Sequence, residues 1–217
     1  ARPFAEQLQV PLLAPELSGE ELMPYVDAFV RALDRPSEST RNLGVFAMYK
    51  NLAAAGVTVA LIGEGSDEFN LGYYYTVPGF KDKGEECATA DGFRALMRSY
   101  AAASARFFNP SFIDASVIET AIEAQVSTYY GQSKSSDPLE RMQYFYAKQF
   151  LKGRLDTHDR LAMAHGIEAR VPFCDEEVVR ASLSARAEDN LAQGTEKALL
   201  REALGDLLPA DIRTRRK

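Results

Sequence analysis

The sequence predicts an α/β protein: a portion of a parallel sheet followed by a mainly helical C-terminal cluster. Three observations predict it. The run VTVALIG, residues 57–63, is β-branched and apolar on both faces, which suits a strand buried between helix layers. It follows at once on a helical stretch ending in Gly56, and a helix, a short connection and a doubly buried strand make half of a parallel α/β unit. After about residue 90, GFRALMRSYAAASARFF, SVIETAIEAQVSTYY, DPLERMQYFYAKQFLK and TEKALLREALGDLL all carry helical spacing, and no strand is expected among them. The expected division is residues 1–90 for the α/β layer and 91–217 for the helical part.

In chain order, PLLAPEL, residues 11–17, offers one more strand. ELMPYVDAFVRALDRP, residues 21–36, reads as an amphipathic helix stopped by Pro36. STRNLGVFAMYKNLAAAG, residues 39–56, reads as a second helix, capped by Ser39 or Thr40 and left through a left-handed Gly56. One strand near residue 60 cannot form a stable sheet alone. Its neighbours are therefore expected upstream of Ala1 or on another chain, and the charged ending RTRRK reads as a truncation or an ordered limit.

Composition removes several classes of function. The 217 residues carry 25 Lys+Arg against 31 Asp+Glu, a net charge of -6, which argues against a broad nucleic-acid surface. No apolar run approaches the ~20 residues that span a bilayer, and ARPFAEQLQV lacks the layout of a signal peptide. Cys87 and Cys174 have no disulfide or metal spacing and are expected as reduced thiols in the cytoplasm, Cys174 acting as a small buried apolar residue. His158 and His165 are a weak basis for zinc without further ligands.

Two stretches carry chemistry. In LIGEGSDEFNLGYY, residues 61–74, Glu64 stands one residue past the apolar strand, where open parallel sheets bind ligands. Gly63 and Gly65 permit a tight turn and close approach of backbone to a ligand. Glu64 could act as a base, and Asp67 could hold Mg²⁺, which favours one or two carboxylates plus phosphate oxygens. The same pattern fits a polar turn with acidic residues in the first turn of a helix. In residues 154–179, Asp156, Asp159, Arg160, Glu168, Arg170 and Asp175 are interleaved with apolar residues. Buried charges need partners, so ion pairs involving Glu168, Arg170 and Asp175 are expected.

These residues resemble a known family. GEGSDEFNLGYY is similar to the GEGADELFGGY loop of the asparagine synthetases, DTHDRLAMAHGIEARVPFCD to their DRMSMAHSLEVRVPFLD segment, and TEKALLREALGDLLPADIRTRRK to their final KxLLRxAL block. The blocks fall in the family's order and span most of residues 57–217. The resemblance implies a synthetase domain of the adenine-nucleotide α-hydrolase fold. Such a domain uses ATP to activate a carboxylate as an acyl adenylate, which ammonia from a glutaminase domain, or another amine, then attacks. β-Lactam synthetases and lasso-peptide cyclases resemble the same domain and close rings.

Carried over by position, the resemblance makes Glu64 the base or acceptor for the incoming ammonia. Ile62 and Gly63 match backbone positions beside the nucleotide, with Gly65 in the same loop. Asp67 matches a Mg²⁺ ligand. Lys197 matches the lysine that meets the departing pyrophosphate, and Asp156 a carboxylate that pairs with the loop glutamate in ring-closing relatives. Departures from the pattern are the missing SGGxDS phosphate loop, expected on an upstream segment or partner chain, the Phe69, Asn70, Leu71 triplet, and the linker 76–89. The implied partners are a small carboxylic acid and ammonia or an amine, with a homodimer left open. Glu64 favours amidation over ring closure, because the β-lactam synthetases carry a tyrosine there. The alternatives are a specialised natural-product synthetase, for which the YYY and YFY runs leave room, and a non-catalytic partner subunit.

Overall fold

The computed structural model describes residues 2–14, 17–37, 39–73, 89–92, 94–95, 97–98 and 114–215. Cys87, Tyr74, Tyr75, nearly all of the 76–89 linker and most of the 92–108 segment lie outside the described residues. The chain divides into two compact units, Ala1–Glu64 with Gly153–Pro172, and Gly65–Lys152 with Phe173–Lys217.

The first unit is built on two long helices and a small sheet. Helix Arg41–Ala54 places Asn42, Phe46 and Tyr49 on one buried stripe at spacings of four and three. Ser39 Oγ accepts from the Arg41 amide at its start, and Gly56 leaves it at φ +80. Helix Val26–Leu33 buries Phe29 and Leu33 against this stripe. Helix Leu151–Met163 adds Leu161 and Ala162, and Ile167 completes the cluster. His165 lies tilted against Phe46 with ring centroids 4.4 Å apart; burial first, then the Lys50 charge, pushes its imidazole below the usual range.

Strand β1, Val59–Leu61, pairs in parallel with β2, Glu168–Arg170, in the register Val59↔Glu168, Ala60↔Ala169, Leu61↔Arg170. β2 lies outside the four stretches read as helical and was not foreseen, and it corrects the expectation that the neighbours of β1 lie upstream of Ala1 or on another chain. Ala60 and Ala169 pack on the helical core. Val59 and Leu61 point the other way, and Leu61 is 73% exposed, so β1 is covered on one face, not both, among the described residues. In PLLAPEL, residues 11–14 and 17 are not strand. Glu168 and Arg170 do pair, at 2.9 Å, but on the exposed face, since alternate strand residues point oppositely. Asp175 instead caps helix Glu176–Ser184 by accepting from the Glu177 amide.

The second unit is helical. Helix Pro138–Phe145 starts on an Asp137 cap and widens into a π-helical segment, Tyr146–Phe150. Helix Ala115–Gln125 does the same through Val126–Tyr130. Their inner faces bury Ile122, Val126, Tyr130, Leu139, Met142, Phe145 and Tyr146 around Leu71. The tyrosine-rich YFY run thus supplies core: Phe145 and Tyr146 are fully buried, and Tyr146 and Phe150 meet with rings 5.0 Å apart. Among the described residues, no helix is long and apolar enough to cross a membrane.

Candidate functional site

The chemistry-bearing residues form two clusters, one in each unit. In the first unit, Glu64 follows β1 after Ile62 and Gly63. The Ile62 amide donates to the Arg170 carbonyl at 2.9 Å, which extends the ladder to the edge of the glutamate. Gly63 is exposed, and a Cβ placed on it would meet nothing within 4 Å among the described residues. Glu64 Oε1 lies 3.1 Å from His158 Nε2. On its other side, the His158 Nδ1 lies 2.8 Å from the Tyr49 hydroxyl, with the rings edge to face. Tyr49 is fully buried. Burial first, and then the Glu64 charge, pushes its phenol up to about 12.

His158 reaches this place because it lies on the same helical face as Leu161 and Ala162, three and four residues on, which anchor in the core. Asp156, two residues back, is turned about 200° around the helix. Its carboxylate lies 3.1 Å from Arg35 Nε and 3.0 Å from Arg160 Nε. The structure therefore brings His158 to Glu64 and sets Asp156 between two guanidinium groups. Sequence reasoning weighed His158 only for zinc.

The second cluster is built on Gly65–Tyr73. Gly65 has φ +96 and is buried, and a Cβ there would fall 2.8 Å from Cys174 Sγ, so both backbone and space demand glycine. Glu68 is fully buried; its Oε2 accepts from the Gly65 amide at 3.0 Å and its Oε1 from the Tyr73 hydroxyl at 2.7 Å. The third carboxylate of the motif is thus a clamp that closes the loop. The Phe69, Asn70, Leu71 triplet is structural as well. The Phe69 carbonyl accepts from Gln143, Asn70 Nδ2 donates to the Ser66 carbonyl, and Leu71 enters the core at φ +53.

This frame holds Asp67 against Lys197. The ammonium lies 2.6 Å from Asp67 Oδ1 and 3.1 Å from Ser66 Oγ. Lys197 precedes helix Ala198–Ala203 in the left-handed region, φ 56 and ψ 36, which a residue with a side chain rarely adopts. A cation is disfavoured at a helix start, and the Asp67 carboxylate offsets that. Gly72, which sequence reasoning passed over, backs the pair: a Cβ there would collide with Asp67 Oδ1 and Lys197 Cε. The glycine is visible in the motif, but its reason exists only once residues far apart in sequence have met. A cavity of about 350 Å³ opens beside Lys197, lined by Phe173, Leu200, Arg201 and Arg215 among others.

Asp67 and Ser66 offer one carboxylate and one hydroxyl, and among the described residues no group of three or more His, Cys, Asp or Glu is placed to hold a metal ion. Mg²⁺ is held by one or two carboxylates with phosphate oxygens and water; here both Asp67 Oδ1 and Ser66 Oγ are in contact with the Lys197 ammonium.

The sequence profile for asparagine synthase matches residues 1–217. The chain belongs to the asparagine synthase family. It is similar, at 26% identity, to glutamine-hydrolyzing asparagine synthetase 1 of Bacillus subtilis (strain 168), the match covering 100% of this chain and 39% of that protein. A 79-residue stretch, 36% of this chain and 13% of the relative, is 38% identical to glutamine-hydrolyzing asparagine synthetase 3 of the same organism. The chain thus spans about two fifths of the length of the first of these relatives.

Proposed function

We propose that this asparagine synthase family chain is part of an ATP-dependent amide-forming ligase. A carboxylate oxygen of the acid attacks the α-phosphorus of ATP, forming a C–O–P link and releasing pyrophosphate. The nitrogen of ammonia then attacks the acyl carbon, the C–O bond breaks, AMP leaves, and the proton lost by nitrogen passes to Glu64. The observation that carries the reading is a carboxylate, Glu64, three residues past the end of a parallel strand in a chain matched end to end by this family.

Each residue has a role in this reading. Glu64 accepts the proton, a contribution that general bases make at about 10²–10⁴-fold. Lys197, on the rim of its cavity, stabilises the charge that gathers on pyrophosphate. The Ile62 and Gly65 amides are used within the chain, so these residues meet the nucleotide through carbonyl and shape, and Gly63 through close approach of bare backbone. Asp67 would hold Mg²⁺, which supplies charge neutralisation for the phosphates. Asp156, held by two arginines, supports the helix that carries His158.

The test uses the full-length protein with ATP, Mg²⁺ and a panel of acids whose carboxylates carry heavy oxygen. The reading expects pyrophosphate release and transfer of one labelled oxygen into AMP. Label in inorganic phosphate, pyrophosphate release unchanged in Lys197→Ala, or amide formation unchanged in Glu64→Ala, would contradict it. A stable complex with no ATP turnover for any acid would favour a non-catalytic subunit.

A further inference from the structure

Glu64 is not an isolated carboxylate. It ends a chain of three side chains from three separate elements: Tyr49 on helix Arg41–Ala54, His158 on helix Leu151–Met163, and Glu64 after β1. The two contacts, 2.8 Å and 3.1 Å, use both ring nitrogens of one imidazole. A neutral imidazole donates through one nitrogen and accepts through the other, and an ionised carboxylate only accepts. The proton between ring and carboxylate therefore sits on Nε2. In a neutral ring Nδ1 then accepts, and the Tyr49 hydroxyl donates.

The surroundings keep a proton on the phenol to donate. Tyr49 is fully buried, and its phenol holds its proton well above the ordinary range, so it stays a donor wherever an enzyme of this class works. His158 and Glu64 side chains are 16% and 23% exposed, which leaves the carboxylate reachable and the ring largely shielded.

We propose that His158, held at Nδ1 by the Tyr49 hydroxyl, is a positioning residue for Glu64: it fixes the carboxylate by a bond to Oε1 and so aims it at the amine being deprotonated. The proposal rests on Glu64 being the proton acceptor. A ring that fixes a base without touching substrate should act on the amide-forming step and leave acid and ATP binding alone.

The experiment compares wild type with Tyr49→Phe, His158→Leu, His158→Gln and Glu64→Gln in the full-length protein. Pyrophosphate release and amide formation are followed separately, and nitrogen-resolved NMR reads the His158 ring without any need for a substrate. The expected ring state is the Nε2–H tautomer, with the Nδ1 signal shifted in Tyr49→Phe as its donor is lost. His158→Leu is expected to lower kcat for amide formation by about tenfold or more, with KM for acid and ATP within about twofold, a part of what a positioned base contributes. His158→Gln, which keeps an N–H donor, is expected to recover most of that loss. An Nδ1–H ring in wild type overturns the proposal whether or not His158→Leu folds. So does an unchanged kcat in a folded His158→Leu alongside an inactive Glu64→Gln. Full activity in Glu64→Gln would instead overturn the underlying reading of Glu64.

Discussion

The Lys197 ammonium stands 2.6 Å from Asp67 Oδ1, with Gly72 directly behind the contact. Three features converge on this pair: a loop clamped by Glu68, a lysine in a left-handed conformation, and a glycine where a side chain has no room. Left-handed backbone at a residue with a side chain costs on the order of 1–2 kcal/mol, and such strain persists where the surroundings over-determine it.

Gly72→Ala tests that packing. Its Cβ would meet Asp67 Oδ1 and Lys197 Cε, and Asp67 sits on a loop with little freedom to yield. The expected cost is about 2 kcal/mol of stability, typical of overpacking. Chemical denaturation of the purified protein measures it, and an unchanged midpoint would show that the pair is loosely held.

The worth of the ion pair itself is read by a double-mutant cycle of Asp67→Asn and Lys197→Met. Their side chains are 23% and 22% exposed, so the pair is neither open to solvent nor deeply buried. A coupling of about 1 kcal/mol is expected, at the upper end for exposed pairs. Coupling near zero would mark the contact as incidental.

Gly63 and Gly65 flank the same glutamate and should respond oppositely. Gly65→Ala forces a Cβ to within 2.8 Å of Cys174 Sγ at φ +96 and is expected to cost about 2 kcal/mol or more. Gly63→Ala meets nothing among the described residues and should leave the unfolding transition within about 0.5 kcal/mol of wild type. If bare backbone at Gly63 serves the nucleotide, KM for ATP rises severalfold in Gly63→Ala all the same. Equal thermal shifts in the two variants would refute the distinction.

Tyr49 predicts an alkaline signature. Its folded pKa is raised from 10.0 to about 12, so the folded chain keeps a proton that the unfolded chain releases. The stability this contributes is complete below about pH 10 and is lost as pH rises toward 12. Between those values wild type should lose roughly 2 kcal/mol more than Tyr49→Phe, as read by denaturant unfolding at stepped pH. Parallel losses in the two proteins would show that the phenol titrates normally.

How far the sequence reveals this arrangement depends on range. Helices Val26–Leu33 and Arg41–Ala54 were legible because Phe29 with Leu33, and Asn42, Phe46 and Tyr49, repeat at helical spacing. β1 was legible from its β-branched run, but not its open face, because apolar composition on both faces does not say what lies across from them. β2 was hidden because three residues, two of them charged, carry too short an alternation to register. Glu64, Asp67 and Lys197 stand out in motifs. His158 and Gly72 do not, since their reasons are contacts between distant parts of the chain. The partners of Asp156 were equally hidden, because Arg35 comes from far along the chain.

The most direct measurement of the central claim is the fate of activated acid in Glu64→Gln, a change that keeps size and hydrogen bonding but removes the base. In the full-length protein supplied with ATP, acid and ammonium, the account predicts near-normal pyrophosphate release and amide formation reduced by about 10²-fold or more. Amide formation at the wild-type rate would contradict it.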